Sequence, residues 1–297
     1  MFDFRLKVFQ SVAQNRSFTK ASKELFISQP AISKHIQELE IQYKTPLFER
    51  TGSRICLTKA GELLLVHANN ILSDYRRLEF EMNLLVRHFS GKLALGASTT
   101  IAQYILPPVL SFFIRKFPDI QVSLLNGNSG EIEQALTEEK ITLGLVEGNT
   151  RRKSIHYTPF MKDELVVVTH AGSSLAKYDE ITLEQLCTLP LVLRENGSGT
   201  LEVFESELVR QGIKLSGLNI LIQLGSTESI KLFLENSDCL SVLSVRAIRK
   251  ELATGTLKVI DVENFGLERM FSFVEKQGQN GGLEESFIRF ARMYTNL

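Results

Sequence analysis

The chain has 297 residues, a length typical of two or three domains rather than of one compact core. Its 43% hydrophobic and 23% charged residues exclude a disordered chain, and its 34 basic and 34 acidic side chains exclude a protein that is basic throughout. Residues 1–58, the head, nevertheless carry a net charge of +4, and residues 59–90 are balanced, so the body beyond residue 90 carries −4. This asymmetry predicts a polyanionic partner for the head and a different partner for the body.

The cysteines and the N-terminal segment indicate the compartment. Cys56, Cys187 and Cys239 are odd in number and widely spaced, which favours free thiols in a reducing compartment. No Cys-x-x-Cys pair or cysteine–histidine cluster suggests a metal, and we expect no cofactor. The N-terminus is amphipathic rather than apolar, and no apolar run approaches the roughly 18 residues of a membrane span. We therefore expect a cytoplasmic protein with no membrane partner.

The first sixty residues have the pattern of a small helical DNA-binding domain. Apolar residues recur at helical spacing from residue 2 to residue 13, and a short second helix is expected from Thr19 to Leu25. Ser28 is a good N-cap, and Pro30 suits the first turn of a third helix that runs to about Glu40. Two short helices joined by a tight turn are typical of a helix-turn-helix.

The outer face of the third helix is polar, and the hairpin that follows is basic. The outer side chains, which can hydrogen-bond base edges or phosphates, are Gln29, Ser33, Lys34 and Gln37. A hairpin, or wing, is expected over residues 46–57, with Arg50 and Arg54 at its tip, where arginine suits phosphates or the minor groove. The alternative interpretation is a helical bundle with a solvated polar face.

Specific residues favour the first interpretation. Ser17–Glu40 and Leu47–Gly61 strongly resemble the LysR-type transcriptional regulators, almost without gaps. The resemblance implies a winged helix-turn-helix whose wing, around Arg50–Arg54, meets the DNA backbone. It also implies that the third helix meets the major groove through Gln29, Pro30, Ser33 and Lys34.

The next segment has a heptad pattern. From Gly61 to Phe89, apolar residues alternate at spacings of four and three, which is typical of a coiled coil. The seam consists of Leu64, Ala68, Ile71, Tyr75, Leu78, Met82, Leu85 and Phe89. It predicts a homodimer that presents two heads to a two-fold symmetric site. The alternative is an amphipathic helix that lies on its own domain. The family resemblance agrees with the dimer and implies that dimers pair into tetramers.

In the body, strand-like and helical segments alternate. This pattern predicts parallel sheets covered by helices, arranged as two α/β lobes. Ligands of such sheets lie at the carboxyl ends of strands, beside helix N-termini. Hydroxyl-bearing strand-to-helix junctions occur at Gly96–Thr100, Asn196–Thr200 and Gly225–Thr227, and Asn126–Gly130 is more turn-like. Each junction alone is better interpreted as an ordinary N-cap, and only convergence on one cleft would make an anion site.

The same segments resemble the effector domain of LysR-type regulators, which is similar to two-lobed periplasmic solute-binding proteins. The resemblance implies a small carboxylate or inorganic anion as effector. Together with the junctions, it gives the candidate effector-binding residues Ser98, Thr99, Thr100, Asn128, Ser198, Thr200 and Thr227.

These expectations combine into an α/β chain with an all-α-type winged head and a ligand-responsive body. The protein would be a transcription factor that binds an interrupted palindrome at a promoter. The expected regions are a winged helix-turn-helix at 1–58, a linker and dimerisation helix at 59–90, and an effector-binding domain at 91–297, with lobe I at 91–161 and 267–297 and lobe II at 162–266.

Two other classes of protein remain open from the residues alone. A solute-binding protein would explain the body, but it requires export and leaves the basic head without a role. A two-lobed α/β enzyme requires a nucleophile or an acid–base pair in the cleft, and no serine has the strand–GxSxG–helix context of a hydrolase. We therefore expect no enzymatic activity.

Overall fold

The computed structural model describes residues 3–51, 54–86, 90–277 and 282–295, and it divides the chain into two units, Met1–His88 and Phe89–Leu297. The described helices are α1 (Phe4–Asn15), α2 (Phe18–Leu25), α3 (Gln29–Tyr43), α4 (Lys59–Val86), α5 (Leu106–Lys116), α6 (Ser129–Thr137), α7 (Leu183–Thr188), α8 (Gly199–Arg210), α9 (Thr227–Glu235), α10 (Arg249–Thr254) and α11 (Leu283–Tyr294). The described strands are β1 (Phe48–Thr51), β2 (Arg54–Leu57), β3 (Gly91–Ser98), β4 (Ile120–Gly127), β5 (Leu143–Val146), β6 (Ile155–His170), β7 (Glu180–Ile181), β8 (Leu191–Arg194), β9 (Ile220–Leu224), β10 (Leu240–Ser244), β11 (Leu257–Val262) and β12 (Leu267–Lys276).

The head is a helix-turn-helix followed by a two-stranded wing. A tight turn, with Phe26 in the left-handed region at φ 54°, joins α2 to α3. Ser28 caps α3 by accepting a hydrogen bond from the Ala31 N–H, and Pro30 lies in the first turn, as predicted. The buried face of α3 consists of Ile32, Ile36 and Leu39. β1 and β2 pair antiparallel to form the wing.

α4 belongs to the first unit because its N-terminal half packs into the core of the head. Ala68 and Leu72 are buried there. Several other apolar side chains of α4 are exposed, namely Leu63, Val66, Ile71, Leu78 and Met82. The early part of the predicted seam therefore contributes to the head, while its later members form an apolar stripe. The side chain of Leu85 and the whole of Phe89 lie outside the described residues.

The second unit is built on one mixed sheet with the strand order β4-β3-β5-β12-β6-β10-β8-β9. β3 is parallel to β4 and β5, and β8 is parallel to β9 and β10, which confirms the predicted parallel sheets. We call the β3–β5 half, with α5, α6 and α11, lobe I. The half around β8–β11, with α7 to α10, is lobe II. Helices and β-rich segments thus alternate as expected for α/β lobes.

Two long strands, β6 and β12, run between the lobes. They pair antiparallel with each other, and the second half of β6 also pairs with β10 and β11 of lobe II. The local sequence pattern predicts a strand only over residues 165–170, and the family resemblance implies that the chain crosses between the lobes near residues 161–165 and near residues 261–267. In the structure the pairing extends far beyond these limits, because each strand supplies the hydrogen-bonding edge that the other needs.

The sequence pattern predicts one continuous helix over Thr100–Phe117, and the structure divides it in two. It begins as a π-helix over Ile101–Ile105, and α5 starts only at Leu106. Pro107 and Pro108 follow directly, and proline has no N–H to donate to the preceding turn. The Leu106 N–H donates to Ile101 O, five residues earlier, which is the hydrogen bond that defines a π-helix. This turn lies immediately after the carboxyl end of β3, where the candidate residues begin.

Candidate functional site

The polar face of α3 is a candidate nucleic-acid interface. All five helix residues that the sequence selects are exposed, namely Gln29, Pro30, Ser33, Lys34 and Gln37. In the wing, Arg50 pairs with Ile55 and Arg54 with Thr51. The side chains of Arg50 and Arg54 lie outside the described residues. The exposed helix face thus offers hydrogen-bonding groups and a cation at positions suited to a DNA groove.

In the second unit, the junctions after β3, β4 and β8 meet across the cleft between lobes I and II. The Gly130 N–H donates to Gly197 O at 3.2 Å. α8 begins so close to lobe I that a Cβ atom at Gly199 would lie 2.2 Å from the carbonyl oxygen of Glu147. Glycine at this position therefore permits the contact, and the lobes touch through backbone as well as side chains.

Arg194, at the end of β8, joins two of the predicted effector residues. Its guanidinium donates to Thr99 Oγ1 of lobe I at 3.2 Å and to Thr227 Oγ1 of lobe II at 3.5 Å. The side chain is 1% exposed and forms an ion pair with Glu195. One buried cation therefore connects hydroxyl groups from both lobes.

Arg269, on β12, joins a second group at the point where the strands cross between lobes. Its fully buried guanidinium lies 2.6 Å from Glu147, 2.7 Å from Asp163 and 2.9 Å from Thr200 Oγ1. Thr100 donates to Glu147 at 3.3 Å. Arg269 Nη2 has no hydrogen-bond partner among the described residues. Two carboxylates thus share one arginine inside a network that includes both lobes.

The remaining candidate residues have different roles. Ser198 caps α8, and Asn128 caps α6 in a capping box with Glu131. Asn128 also donates weakly to Asn196 O across the cleft, at 3.5 Å. Ser98 is fully buried, and within the described part of the chain its hydroxyl has no hydrogen-bond partner. The structure therefore brings most of the predicted residues to one cleft but distributes them between two arginines.

A further contact between the lobes involves the π-helix. Tyr104 donates to Glu228 on α9, and burial together with this hydrogen bond raises the pKa of the Tyr104 phenol. Lys231 pairs with both Glu228 and Glu251 at 2.9 Å. Because Tyr104 belongs to lobe I and the other residues to lobe II, this cluster is a third connection between the lobes, besides those made by Arg194 and Arg269.

Two cavities flank the contact between Gly130 and Gly197. The first, which we call the cleft cavity, has a volume of about 290 Å³. Its lining consists of Thr99, Gln103, Asn126, Gly127, Asn128, Glu131, Glu195, Gly225 and Ser226. The second, of about 280 Å³, is lined by four glutamates, including Glu133, and by Arg152. Burial raises the pKa of Glu133 although Arg152 lies 2.7 Å away. The second cavity is therefore poorly suited to an anion.

Sequence reasoning does not select the charged residues that organise this site. Arg194, Arg269, Glu147 and Asp163 are buried, whereas charged residues are expected at the surface. The sequence feature that could indicate Arg194 and Glu147 is their position at the ends of strands, next to the strand-to-helix junctions that the sequence predicts. Among the described residues, no cluster of His, Cys, Asp and Glu is arranged to hold a metal ion.

Comparisons with known proteins cover both units. The family model described as "LysR substrate binding domain" matches residues 87–295. The model described as "Bacterial regulatory helix-turn-helix protein, lysR family" matches residues 4–62. The HTH-type transcriptional regulator CysL of Bacillus subtilis (strain 168) is 31% identical over 269 residues, which are 91% of this chain and 89% of CysL.

Solved structures agree with these matches. The CcmR regulatory domain of Synechocystis PCC6803, in complex with 2-PG, has a TM-score of 0.62 and 27% identity, and the match covers 69% of this chain and 98% of that domain. CrgA of Neisseria meningitidis, a LysR-type transcriptional regulator, shares the fold with a TM-score of 0.65 and 19% identity, over 98% of this chain and 95% of CrgA. The matched families are transcriptional regulators rather than enzymes. Within the described residues, no helix is both long and apolar enough to cross a membrane.

Proposed function

This chain belongs to the LysR family of transcriptional regulators, and we propose that its head reads promoter DNA while the cleft of its body binds a small carboxylate or inorganic anion. The observation that carries the proposal is the cleft cavity, which is lined by the predicted residues Thr99 and Asn128. It adjoins the buried Arg194, which hydrogen-bonds the predicted residues Thr99 and Thr227 from the two lobes. Promoter binding would take place in the cytoplasm.

For DNA, we propose that α3 enters the major groove. The groove-facing residues would be Gln29, Pro30, Ser33, Lys34 and Gln37, and the wing residues Arg50 and Arg54 would contact the backbone. The exposure of the five helix residues supports this assignment, since Ile32, Ile36 and Leu39 hold the opposite face of α3 in the core. A hydrogen-bonding amide and an ammonium group on one helix face suit base edges and phosphates.

The DNA proposal is tested with a duplex that the protein selects from random sequence. Gln29→Ala should weaken binding by about tenfold, because one good base contact discriminates by roughly 1–3 kcal/mol. Lys34→Gln should weaken binding and, if Lys34 contacts a phosphate, lower the salt slope by about one. The matched control is Lys214→Gln, an exposed lysine of the body, which should leave binding unchanged. Equal effects of the two lysine variants would contradict the assignment.

We propose that the active form is a homodimer, with dimers pairing into tetramers, and that it binds an interrupted palindrome. The exposed stripe of α4 supports this, because Ile71, Leu78 and Met82 are apolar and a second α4 helix would bury them. Two heads related by a two-fold axis match two half-sites of opposite orientation.

For the effector, we propose that the ligand occupies the cleft cavity, with Thr99, Asn128 and Thr227 around it. Ser98, Thr100, Ser198 and Thr200 would form the deeper part of the site. The size of the cavity fits a small molecule, and an anionic ligand would find its cation in Arg194, which adjoins the cavity and is paired with the lining residue Glu195. The relative CcmR has a regulatory domain solved in complex with 2-PG, which supports a small-molecule ligand in the corresponding domain.

The effector proposal is tested by thermal melting with sulfate, thiosulfate, acetylserine and benzoate. A ligand at 100 times its Kd stabilises the folded protein by about 2.7 kcal/mol. Thr99→Val should reduce this stabilisation, whereas Thr137→Val, at the exposed end of α6, should retain it. An unchanged response in Thr99→Val would exclude the proposed cavity, and no response to any compound would contradict the proposed effector class.

A further inference from the structure

Arg194 is a buried cation whose counter-charge comes from the next residue in the chain. Its Nε and Nη2 atoms donate to the two carboxylate oxygens of Glu195 at 2.8 and 3.0 Å, which makes a bidentate pair. Its other acceptors among the described residues, Thr99 Oγ1, Thr227 Oγ1 and Gly225 O, are neutral. The carboxylate of Glu195 therefore neutralises this guanidinium.

The two members of the pair differ in their access to solvent. Arg194 is 1% exposed, whereas Glu195 is 26% exposed and lines the cleft cavity. Thr99, Glu195 and Gly225 all line the cavity and all accept hydrogen bonds from Arg194. The guanidinium therefore lies directly behind the cavity wall. Rotation of Glu195 into water would open the Nε and Nη2 edge of Arg194 to the cavity.

The charges that line the cleft cavity favour a ligand anion that replaces the Glu195 carboxylate over one that binds in addition to it. Glu131 and Glu195 both line the cavity, so an anion that enters beside them is repelled by both carboxylates. If Glu195 turns outward, one of these charges leaves, and the buried Arg194 requires a replacement because an unpaired buried cation is costly. Ser226 places the positive end of α9 at the same wall. An incoming anion can then take the position of the Glu195 carboxylate.

We propose that Glu195 is an internal competitor of the effector, and that a carboxylate or similar oxyanion of the effector replaces it on Arg194. This inference rests on the proposed function of the cleft and specifies how the ligand is bound. The ligand offers two oxygens of one anionic group to Nε and Nη2, in the geometry that arginine prefers. The apparent affinity then equals the intrinsic affinity multiplied by the fraction of molecules in which Glu195 has turned away from Arg194.

The test measures the Kd of sulfate, thiosulfate, acetylserine and benzoate by calorimetric titration of the full chain. Glu195→Gln removes the charge of the competitor, and Glu195→Asp keeps the charge but shortens its reach. For at least one compound, we expect the Kd to fall at least tenfold in Glu195→Gln and at least threefold in Glu195→Asp. The second variant also serves if Glu195→Gln folds poorly.

Two further variants test the cause of the higher ligand affinity expected in Glu195→Gln. Glu131→Gln is the matched control, because it removes another lining carboxylate while glutamine can retain the capping box with Asn128. We expect its Kd to fall by at most threefold, because Glu131 repels the ligand but does not occupy Arg194. Arg194→Lys, combined with Glu195→Gln, should raise the Kd at least tenfold above that of Glu195→Gln alone, because lysine cannot form the bidentate pair.

The outcomes separate this inference from the proposed function. If the wild-type chain binds a compound and Glu195→Gln gains no more than Glu131→Gln, general repulsion explains the gain and the exchange is wrong, while the effector site stands. The exchange is also wrong if Glu195→Gln and Glu195→Asp leave every Kd unchanged. If neither the wild type nor any variant binds any of the four compounds, both the exchange and the proposed effector class fail.

Discussion

Arg269 illustrates at the scale of one residue how charge is held inside the body. Glu147 and Asp163 lie within 2.7 Å of its guanidinium, and all three side chains are at most 1% exposed. Arg269→Met should lower the free energy of unfolding by about 3–5 kcal/mol, because, among the described residues, it leaves the buried Glu147 without a cation and Asp163 with only Arg246, 3.6 Å away. Urea unfolding, followed by circular dichroism, measures the loss.

The matched control for Arg269 is an exposed arginine with one carboxylate partner. Arg210 is 68% exposed and lies 2.7 Å from Glu207 on the same helix. Arg210→Met should change the free energy of unfolding by less than about 1 kcal/mol, as solvent screens such pairs. If both variants lost equal stability, the buried network would not be the source of the effect.

The cysteines of the body are poorly placed for redox chemistry at neutral pH. Burial is the main reason that the pKa values of the Cys187 and Cys239 thiols lie above the ordinary value of 9.0. The thiolate is the reactive form, so a raised pKa leaves less of it at pH 7. In a Cys56→Ser background, we expect iodoacetamide alkylation of both thiols to reach half its maximal rate only above pH 9. A midpoint below pH 8 would indicate activated thiols.

At the residue scale, the hydroxyl groups of the candidate site could be predicted and the arginines could not. Serine and threonine after a strand carry a local signal, since they cap helices whether or not a ligand binds. Arg194 has only its position at the end of β8 as a signal, and Arg269 has none. They are buried because carboxylates neutralise them, and for Arg269 those carboxylates, Glu147 just after β5 and Asp163 on β6, are far away in the sequence.

Among the elements, α4 exposes a stripe of apolar side chains. We expect Leu78→Glu and Met82→Glu to convert the dimer into monomers, because each introduces a charge into the proposed helix–helix contact. Sedimentation velocity measures the change. Asn70→Glu, at an exposed polar position of the same helix, should leave the dimer intact. Retention of the dimer in both stripe variants would mean that α4 is not the main contact.

The strands β6 and β12 show why part of the fold escapes prediction. β6 contains Pro159 and a charged run at residues 162–164, a pattern typical of a loop. Proline is tolerated because the β6–β12 register shifts at the Phe271–Ser272 step, where Pro159 is the partner of Ser272. These residues become a strand through long-range pairing with β12, whereas β3, β4 and β8 are short apolar runs that a local pattern reveals.

For the whole molecule, the two units have separate hydrophobic cores. We therefore expect two transitions in scanning calorimetry of the full chain. A bound anion at 100 times its Kd should raise the transition temperature of residues 89–297 by roughly 5–10 °C, because it stabilises them by about 2.7 kcal/mol. The DNA duplex should raise only the transition temperature of residues 1–88. A single transition that both ligands shift equally would show that the units unfold together.

The antiparallel pair of β6 and β12 also limits how the lobes can move. Because the chain passes between the lobes along these two strands, any rearrangement must deform a hydrogen-bonded ribbon. Such a ribbon twists and bends readily, but it resists sliding of one strand along the other, since sliding breaks its whole ladder of hydrogen bonds. We therefore expect the lobes to rotate by twisting of this ribbon rather than to slide past each other. Ligands of different chemistry would differ in the angle through which they turn it, and the response of the regulator would be graded along that one coordinate.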